Sequence, residues 1–386
     1  MTRPWRNPCR TGSKPESPKS SPPANGSNRI QSLSRTVPGY RSEAVIAFGL
    51  GIASRNSALD IIETFFPLPA VNPGEDFARE LSALCGLEPG NSGYRTLDAE
   101  GLESFHATAS QAFEHEQERT AARLRDSDRP VLLCISHSQS PPTSVPEAFL
   151  KLHLLSHRLA RPHEQNLDGI FSVLHNLAWT SRGPVSLQDL PGMQLQARKK
   201  GETLSVHSVD KFPKMSDYVV PSGVRLADSA RIRLGAYIGE GTTVMHEGFI
   251  NFNAGTEGQA MIEGRISAGV MVGENSDLGG SSSTMGTLSG GGTEIVSVGR
   301  NCLIGANAGI GMPLADGCIV EAGLYLTAGA VVRELDAEGN LVRTCKALEL
   351  SGLAHRLFRR NSLTGAIECL PRKAHVALNE ELHAHN

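Results

Sequence analysis

Two charged residues separated by one glycine, Glu263 and Arg265, stand in the segment MIEGRISAGV. Glu263 directly follows the apolar Ile262, so its carboxylate should point outward from a strand whose apolar residues face a core. An outward carboxylate can serve as a general base or as a nucleophile. Arg265 should emerge on the same side of its strand, where a guanidinium can hold a carboxylate ligand through two parallel hydrogen bonds. Spacing alone also fits a solvated surface ion pair.

A cationic cluster follows later in the chain. It comprises Lys346, Arg359 and Arg360 within one 15-residue span, with Asn361 and Ser362 directly after them. Lysine and arginine side chains are the usual protein partners of phosphate groups. The cluster therefore predicts a site for a phosphorylated ligand, although a solvated basic surface explains the composition equally well.

Two other motifs indicate structure rather than chemistry. His153 and His157 have the i, i+4 spacing of a metal pair, but HLLSH has no intervening Glu and no third ligand is evident. We expect a packing helix or a helix at a subunit contact. The GLG of AVIAFGLGIAS is too short a match for a dinucleotide loop, so we expect a strand and a turn there.

The residues that could do chemistry lie in or after a segment with a period of six. From Leu226 onward every sixth residue is aliphatic up to Ile262, with Thr256 as the single break, and the phase then slips and resumes three times before Val332. A period of six fits neither a helix nor a single strand, so it describes a coil of short repeated strands.

The composition of this segment supports a coil. Glycine occurs 22 times between Leu226 and Val332, of 40 in the chain, whereas Pro313 is its only proline. Tight corners favour glycine, and ladder hydrogen bonds exclude proline. We therefore predict a parallel β-helix of about 18 residues per coil, with the aliphatic row inside.

Overall composition excludes several classes of protein. The chain has 386 residues and a formal net charge of −3, which gives no sign of a general nucleic-acid binder. No apolar run approaches the roughly 18 residues of a membrane span. Seven scattered cysteines without a CxxC pair are typical of free thiols in a reducing cytoplasm.

The chain divides into four regions. Residues 1–42 are basic and rich in Pro and Ser, so we expect a disordered tail, with a transit peptide as the alternative. Residues 43–220 mix predicted strands with helices, among them Gln111–Asp126, a helix beginning near Ser144 and a helix around Asp168–Trp179, and form an α/β domain. The β-helix occupies residues 221–335, and a shorter C-terminal region occupies residues 336–386.

Several longer motifs carry a family resemblance. In chain order they are MHEGFINFNAG, MIEGRISAGV, GTLSGGGTE, EAGLYLTAG and LFRRNS, and together they resemble tetrahydrodipicolinate N-succinyltransferases of the actinobacterial type. IGANAG, IGEGTT and VGRNCL also resemble the hexapeptide repeat of left-handed β-helix acyltransferases. The resemblance covers roughly residues 146–385. It also supplies the handedness, since crossover sterics alone would favour a right-handed coil.

The resemblance implies that a succinyl group moves from succinyl-CoA to the amine of opened tetrahydrodipicolinate, on the diaminopimelate route to lysine. It implies a mixed acyl anhydride on Glu263, and general-base action remains the rival because an ordinary glutamate is a weak base for an ammonium. Gly286 would supply an oxyanion N–H. The positions that match succinyl-CoA contacts are Arg265, Gly280, Ser283, Ala306, Glu321, Ala322, Gly329, Lys346, Arg359, Arg360, Asn361 and Ser362.

The expected oligomeric state and metal site also come from the family resemblance. The family implies a homotrimer with active sites between subunits and acidic residues that can place Mg²⁺ on the trimer axis. Glu247 matches one such residue, but Ala230 stands at the other position, so we doubt that a metal binds, unless Asp228 substitutes. The prediction is an enzyme with small-molecule substrates and no required cofactor.

Three other functions are compatible with a β-helix. Another acyl-CoA transferase, using acetyl-CoA or a sugar amine, would share the scaffold. A zinc enzyme of the carbonic anhydrase type would need three His ligands, and His246 is the only histidine between Leu226 and Val332. A non-catalytic β-helix would serve assembly or binding alone.

Overall fold

The computed structural model describes residues 46–112, 114–288 and 293–372. The expected tail at residues 1–42 lies outside this part of the chain, as does most of the loop Ser289–Thr293, which the break in the six-residue count predicts to protrude.

The N-terminal region is built on an antiparallel sheet in the order β2-β1-β5-β4, with β3 paired to β1. Three helices are inserted between the strands of this sheet along the chain. In chain order these elements are β1 (Ile46–Arg55), β2 (Ile61–Phe65), β3 (Ala70–Val71), α1 (Glu75–Cys85), β4 (Gly93–Leu97), α2 (Ala99–Gln111), α3 (His115–Leu124) and β5 (Val131–His137).

The two faces of this sheet bury different cores. Along β5, Leu133 and Ile135 pack in the core that includes residues of α1 and α2, whereas Leu132 and Cys134 face the core shared with the rest of the chain. This is the two-residue alternation of a strand covered on both faces. The predicted turn at GLG is wrong, because Gly49 and Gly51 lie inside β1, where a Cβ on either would meet the buried Phe66 ring at 2.8 Å or less.

Helix α4 (Val145–Ser156) lies between the sheet and the coil, and every one of its residues is buried. Ser144 is its N-cap residue, as predicted, and its hydroxyl donates to the Glu147 carboxylate at 2.9 Å. The packing interpretation of HLLSH is confirmed. The His153 ring donates from Nδ1 to the Phe149 carbonyl at 2.7 Å and accepts from the Phe66 N–H at 3.2 Å, so both nitrogens are engaged.

A three-stranded antiparallel sheet in the order β7-β6-β8 connects this helix to the coil. The helix predicted around Asp168–Trp179 is mostly wrong, because only four residues are helical and the chain re-enters a strand at Leu177. The elements are α5 (Ile170–Val173), β6 (Leu177–Thr180), β7 (Gly183–Ser186), α6 (Leu190–Lys199) and β8 (Val206–Asp210).

The predicted parallel β-helix is confirmed, with three sheets as the faces of a prism. The first comprises β9 (Arg225–Leu226), β11 (Thr242–Val244), β14 (Ala260–Ile262), β17 (Ser276–Leu278), β19 (Leu303–Ile304) and β21 (Ile319–Val320). The second comprises β12 (Phe249–Ile250), β15 (Arg265–Ile266), β18 (Ser283–Thr284), β20 (Gly309–Gly311) and β22 (Tyr325–Thr327). The third comprises β10 (Tyr237–Ile238), β13 (Gly255–Thr256) and β16 (Met271–Val272).

The aliphatic row faces the interior of the prism. From Ile232 to Val332 its members are at most 3 % exposed. Thr256, the break in the row, is also buried, and its hydroxyl lies 2.8 Å from that of Thr242 and accepts from the Gly239 N–H at 3.0 Å. A polar residue is tolerated there because its hydrogen bonds are made inside the prism.

The coils differ in length, which explains the slips in the sequence period. Val244 pairs with Ile262, and this spacing equals the three six-residue faces of the predicted coil. Ile262 pairs with Leu278, which makes a shorter coil, and Leu278 pairs with Ile304, which makes a longer one. The predicted coil length is therefore right only for the first coils. The longest coil carries an insertion, within which Thr287 bridges Ile295 antiparallel.

The C-terminal region closes the end of the prism. Strand β25 continues the first face beside β21, and β23, β24 and β26 complete a ten-stranded sheet. These strands are β23 (Val331–Leu335), β24 (Leu341–Lys346), β25 (Arg356–Arg360) and β26 (Ile367–Pro371). One buried core runs from Ala53 to Cys369 through α4 and the coil. Within the described ranges no helix has the length and apolarity to cross a membrane.

Candidate active site

Glu263 lies at a shortened corner of the prism. Only three residues separate the inward-facing Ile262 and Ile266 there, whereas five separate Val244 and Ile250 in the preceding coil. Glu263 and Arg265 therefore do not share a strand as expected: the carboxylate follows β14 on the first face, and the guanidinium begins β15 on the second. Both side chains still point away from the interior, with Glu263 half-buried and Arg265 exposed.

Gly264 makes this corner possible. A Cβ there would lie 2.7 Å from the Ser282 carbonyl oxygen, which also accepts the Arg265 N–H at 2.8 Å. The Arg265 side chain reaches the next coil, where its Nε lies 3.4 Å from the Ser283 hydroxyl. The corner is thus packed tightly against the next coil, and Glu263 and Arg265 project from a rigid turn.

In each successive coil a corner residue stacks on the position of Glu263, and these stacked corners form a lane along one edge of the prism. The backbone N–H groups of four corner residues each donate to the next coil at 2.8 or 2.9 Å: Glu263 to Leu278, Gly279 to Ile304, Gly305 to Val320, and Glu321 to Phe358. At about 4.8 Å per strand, Glu263 and Arg359 are separated by roughly 19 Å. The residues beside these corners have small side chains or none: Gly280 is partly exposed, and Ala306 and Ala322 are exposed.

The far end of the lane carries three of the residues of the cationic cluster. Arg359 donates from Nε and Nη2 to Glu368 Oε2, both at 3.1 Å, and Asn361 donates to Glu368 Oε1 at 2.8 Å. The Arg360 N–H donates to the Glu321 carboxylate at 2.7 Å, so Glu321 of the neighbouring coil holds the backbone of the cluster in place. Arg360 is exposed and lies next to Arg359 at the end of the lane.

The remaining cationic and polar residues of the cluster stay near the surface. Lys346 is exposed at the end of β24, and its backbone N–H donates to Glu349 at 3.0 Å. Ser362 is exposed directly after Asn361. The structure therefore places Arg359 and Arg360 at the end of β25 and Asn361 and Ser362 directly after it, at one end of the prism.

Gly286 and Gly329 lie at the other edge of the second face. Gly286 sits beside Ala268, whose carbonyl oxygen would be 2.9 Å from an added Cβ. Ala268 is five residues after Glu263, up to about 16 Å of extended chain. Within one copy of the chain Glu263 precedes β15 and the Gly286 position follows it, so the expected oxyanion donor and Glu263 lie at opposite ends of that strand. Of the expected donor contacts on this face, Ser283 lies beside Arg265.

The residues at the expected metal position do not suit Mg²⁺. Ala230 offers no side-chain oxygen, and Asp228, the possible substitute, accepts the Ala230 N–H at 3.0 Å as a helix cap. The Arg231 guanidinium donates to the backbone carbonyls of Glu247 and Gly248 at 2.9 and 3.1 Å, which brings a positive charge beside Glu247. The described residues contain no cluster of three His, Cys, Asp or Glu that could hold a metal.

Sequence reasoning missed Glu368 and Tyr325. Glu368 is 3 % exposed; burial would raise the pKa of its carboxyl, but the bonds from Asn361 and Arg359 outweigh burial and hold that pKa below the usual value. The Tyr325 ring, 46 % exposed, lies over Gly309 beside the lane. A buried acid aligned with Arg359 across paired strands was not visible without the register of β25 and β26.

Comparison with known proteins decides the family. Over 341 residues the chain is 54 % identical to the 2,3,4,5-tetrahydropyridine-2,6-dicarboxylate N-succinyltransferase of Pseudomonas paraeruginosa, covering 88 % of this chain and 98 % of that one. The chain belongs to this N-succinyltransferase family. The Vibrio cholerae protein of the same name is also 54 % identical, over 89 % of this chain and 100 % of its own length.

Family models and a solved structure agree with this membership. The model described as tetrahydrodipicolinate N-succinyltransferase middle matches residues 174–214, and that described as hexapeptide repeat of succinyl-transferase matches residues 295–328. A Campylobacter jejuni crystal structure, described as a 2,3,4,5-tetrahydropyridine-2-carboxylate N-succinyltransferase, superposes with a TM-score of 0.78 at 32 % identity, covering 86 % of this chain and 93 % of that one. The left-handed parallel β-helix fold is thereby confirmed.

The family match extends beyond the expected region. The 341 aligned residues exceed the 241 residues from 146 to the C-terminus, so at least part of the N-terminal α/β region belongs to the family fold. The actinobacterial subtype remains a prediction.

Proposed function

We propose that this N-succinyltransferase transfers the succinyl group of succinyl-CoA to the amine of opened tetrahydrodipicolinate, and that it does so at Glu263. The observation that carries the proposal is the lane of small corner residues, with a half-buried carboxylate at one end and Arg359 and Arg360 at the other. An extended pantetheine arm fits a lane whose surface between Glu263 and Glu321 is formed by glycine and alanine, and its nucleotide phosphates fit the guanidinium pair.

Acyl transfer through Glu263 would proceed in two steps. The carboxylate attacks the thioester carbonyl and the CoA thiolate leaves and takes up a proton, which gives a mixed anhydride. The acceptor amine then attacks the same carbonyl, loses a proton, and releases Glu263 as a carboxylate. Arg265 would pair with the distal carboxylate of the succinyl group. In the rival mechanism Glu263 removes the proton of the amine as it attacks the thioester directly.

We further propose a homotrimer with the active site between neighbouring copies. The separation of Glu263 from Gly286 on opposite edges of the second face supports this, because a second copy could bring its own Gly286 edge to the Glu263 edge. An N–H aimed at the developing oxyanion would then come from a different chain. Mg²⁺ has no role in this proposal.

We also propose a cytoplasmic location. The support is that the six cysteines in the described ranges are all free thiols. Burial raises the pKa of the Cys302 and Cys369 thiols to about 12, so these are inert structural groups.

A coupled assay of thiol release tests the function. We expect turnover with succinyl-CoA and the acceptor, and a rate with acetyl-CoA at least tenfold lower, because Arg265 would lose its carboxylate partner. Glu263→Gln should lower kcat by about 10²- to 10⁴-fold while the protein still binds CoA. Equal rates with both donors, or full activity of Glu263→Gln, would reject the proposal; CoA binding lost in the variant would point to a structural role.

A further inference from the structure

His246 lies at a corner of the prism and is the only histidine of the β-helix. The Met245 carbonyl accepts the Gly248 N–H at 2.9 Å, which closes a four-residue turn with His246 and Glu247 at its tip. Both tip residues are exposed. The two-step transfer described above gives His246 no role, although imidazole is the side chain that most often moves a proton in enzymes near neutral pH.

The lane is built from turns closed by the same hydrogen bond. In three later coils the N–H of the fourth turn residue donates to the carbonyl of the first: Ser282 to Gly279 at 3.0 Å, Ala308 to Gly305 at 3.0 Å, and Leu324 to Glu321 at 3.2 Å. The second residues of these turns are the lane residues Gly280, Ala306 and Ala322. Met245 also donates its N–H to the next coil, to Ile262 at 2.9 Å, as the first residues of those turns do. His246 therefore occupies the lane position on the other side of Glu263.

The Glu263 corner forms a notch between two of these turns. Only three residues separate Ile262 and Ile266 there, whereas five separate the inward-facing residues at the corresponding corners of the coils before and after it. The corner consequently lacks a tip, and Glu263 lies on the floor of a recess with His246 at one rim and Gly280 at the other. The two rims are two strand spacings or roughly 10 Å apart. The imidazole and the carboxylate thus border the same space.

The turn that carries His246 is held in place from the preceding coil. Arg231 donates to the carbonyls of Glu247 and the following glycine at 2.9 and 3.1 Å. The His246 ring has no hydrogen-bond or ion-pair partner among residues 46–112, 114–288 and 293–372. The charged groups around it in the fold are Arg231 and Glu247 on its own side and Glu263 and Arg265 of the next coil, two of each sign. Its ring nitrogens are available to a ligand.

The second step of the proposed transfer releases a proton that needs an acceptor at the notch. Glu263 carries the acyl group when the amine attacks, so its carboxylate is not available until the anhydride bond has broken. The Arg265 guanidinium is always protonated and cannot serve. A carboxylate such as that of Glu247 is a weak base for an ammonium, whereas an imidazole is well matched to this task near neutral pH.

From this geometry we infer that His246 is the catalytic base of the second step. One of its ring nitrogens takes the proton as the amine nitrogen forms the new bond to the acyl carbon. The bond from that carbon to the Glu263 oxygen breaks, Glu263 leaves as a carboxylate with the electron pair, and the imidazolium passes the proton to solvent. The inference rests on the proposed succinyl transfer and adds a residue of the same chain that the proposal leaves unused.

Steady-state kinetics of His246→Ala in the full-length protein test this inference. Alanine stands at the same turn position in two later coils, so the variant should fold. We expect kcat to fall by about 10²- to 10³-fold, with the succinyl-CoA KM within twofold of wild type. Added imidazole should raise the rate of this variant by at least about tenfold. His246→Gln fills the space without supplying a base, and it should be equally slow and unaffected by imidazole.

The pH dependence separates a base from a residue that only shapes the turn. The wild-type kcat should fall between about pH 7.5 and 5.5, because a protonated imidazole cannot accept the proton, and this fall should be absent in His246→Ala. His175→Ala, at an exposed position outside the β-helix, should match the wild type.

The outcomes distinguish the inference from the proposed function. A wild-type protein without succinyl transfer defeats the proposed function. Transfer with an unchanged kcat in both His246 variants overturns the base and leaves the rival mechanism, in which Glu263 takes the proton. A lower kcat that imidazole does not restore in His246→Ala, with the wild-type pH profile retained, also overturns it, because His246 would then only support the turn.

Discussion

Glu263 and Gly280 face each other across adjacent coils: Glu263 Oε2 lies 3.5 Å from the point that a Cβ on Gly280 would occupy. The carboxylate therefore closes one end of the lane of small residues, and Gly280 leaves the surface beside it open. The distance is an ordinary van der Waals contact, so a methyl group at Gly280 would touch the carboxylate without displacing it.

This contact makes Gly280→Ala a probe of the lane. The added methyl should leave the fold intact but occupy the space beside Glu263 that a thioester arm needs. We expect a succinyl-CoA KM higher by about threefold to tenfold, or 0.7–1.4 kcal/mol, with the melting temperature within about 2 °C of wild type. Initial-rate kinetics and thermal unfolding measure the two effects separately.

Gly305→Ala is the matched comparison. A Cβ there would lie 2.5 Å from the Ala322 nitrogen and 2.7 Å from its Cα, and backbone cannot move aside cheaply. We expect a loss of about 1–3 kcal/mol in the free energy of unfolding. If Gly280→Ala were the less stable of the two, or left the succinyl-CoA KM unchanged, the lane would not be the donor site.

Glu368 offers a second probe, at the far end of the lane. Glu368→Gln keeps the side-chain volume but weakens the hold on Arg359 and Asn361, which both donate to this carboxylate. The succinyl-CoA KM should rise by about threefold to tenfold, while kcat should change by less than twofold, because the cluster is roughly 19 Å from Glu263. Kinetics with succinyl-CoA as the varied substrate measure both values.

Glu334→Gln is the control for this prediction. Glu334 receives a bond from Arg343 Nε at 2.7 Å on the β23–β24 hairpin, a pair of the same chemistry away from the lane. Its loss should change neither kinetic constant. A fall in kcat with unchanged KM in Glu368→Gln would show that Glu368 acts on the chemical step instead of on donor binding.

The sequence predicted the interior of the prism better than its corners. A buried aliphatic at every sixth position is a local requirement of each strand, so the row from Ile232 to Val332 could be recognised without coordinates. The slip between Ile262 and Ile266 was also visible as a break in phase. That the break is the corner presenting Glu263, and that it places Arg265 on another face, depends on which coil residues pair, which the period alone does not fix.

Relations between distant segments could not be predicted in the same way. Arg359 and Glu368 are nine residues apart and meet only because β25 and β26 are antiparallel. Arg129, Tyr218 and Phe249 line one cavity only because α4 docks the N-terminal sheet against the coil. Such contacts follow from tertiary packing, for which a single sequence carries no periodic signal.

The glycines of GLG provide a prediction about stability. In Gly51→Ala the new methyl would lie 2.7 Å from both Phe66 Cε1 and Thr64 Cγ2, in a fully buried site. We expect a loss of about 1–3 kcal/mol from overpacking, with kinetic constants unchanged. Gly192→Ala on α6, where no atom lies within 4 Å, should be neutral or stabilising by up to about 1 kcal/mol. Denaturant unfolding compares them, and equal stabilities would contradict the packing role of Gly51.

The buried His153 predicts how stability depends on pH. Burial lowers the pKa of this imidazole from 6.5 to about 3 in the folded protein. Between those values the unfolded chain binds one more proton than the folded chain, so the free energy of unfolding must fall as pH is lowered through this window. From pH 6.5 to 5.5 the loss from this residue is about 1 kcal/mol.

Denaturant unfolding at several pH values tests this dependence. His153→Asn should be less stable than wild type at neutral pH, because the bonds to Phe149 and Phe66 are disturbed, yet its stability should fall less between pH 6.5 and 5.5. Burial also lowers the pKa of His157, so part of the slope should persist in the variant. His175→Gln, at an exposed position, should retain the wild-type slope. A slope in His153→Asn as steep as that of wild type would show that His153 is protonated in the folded protein, and the α4 packing described above would then be wrong.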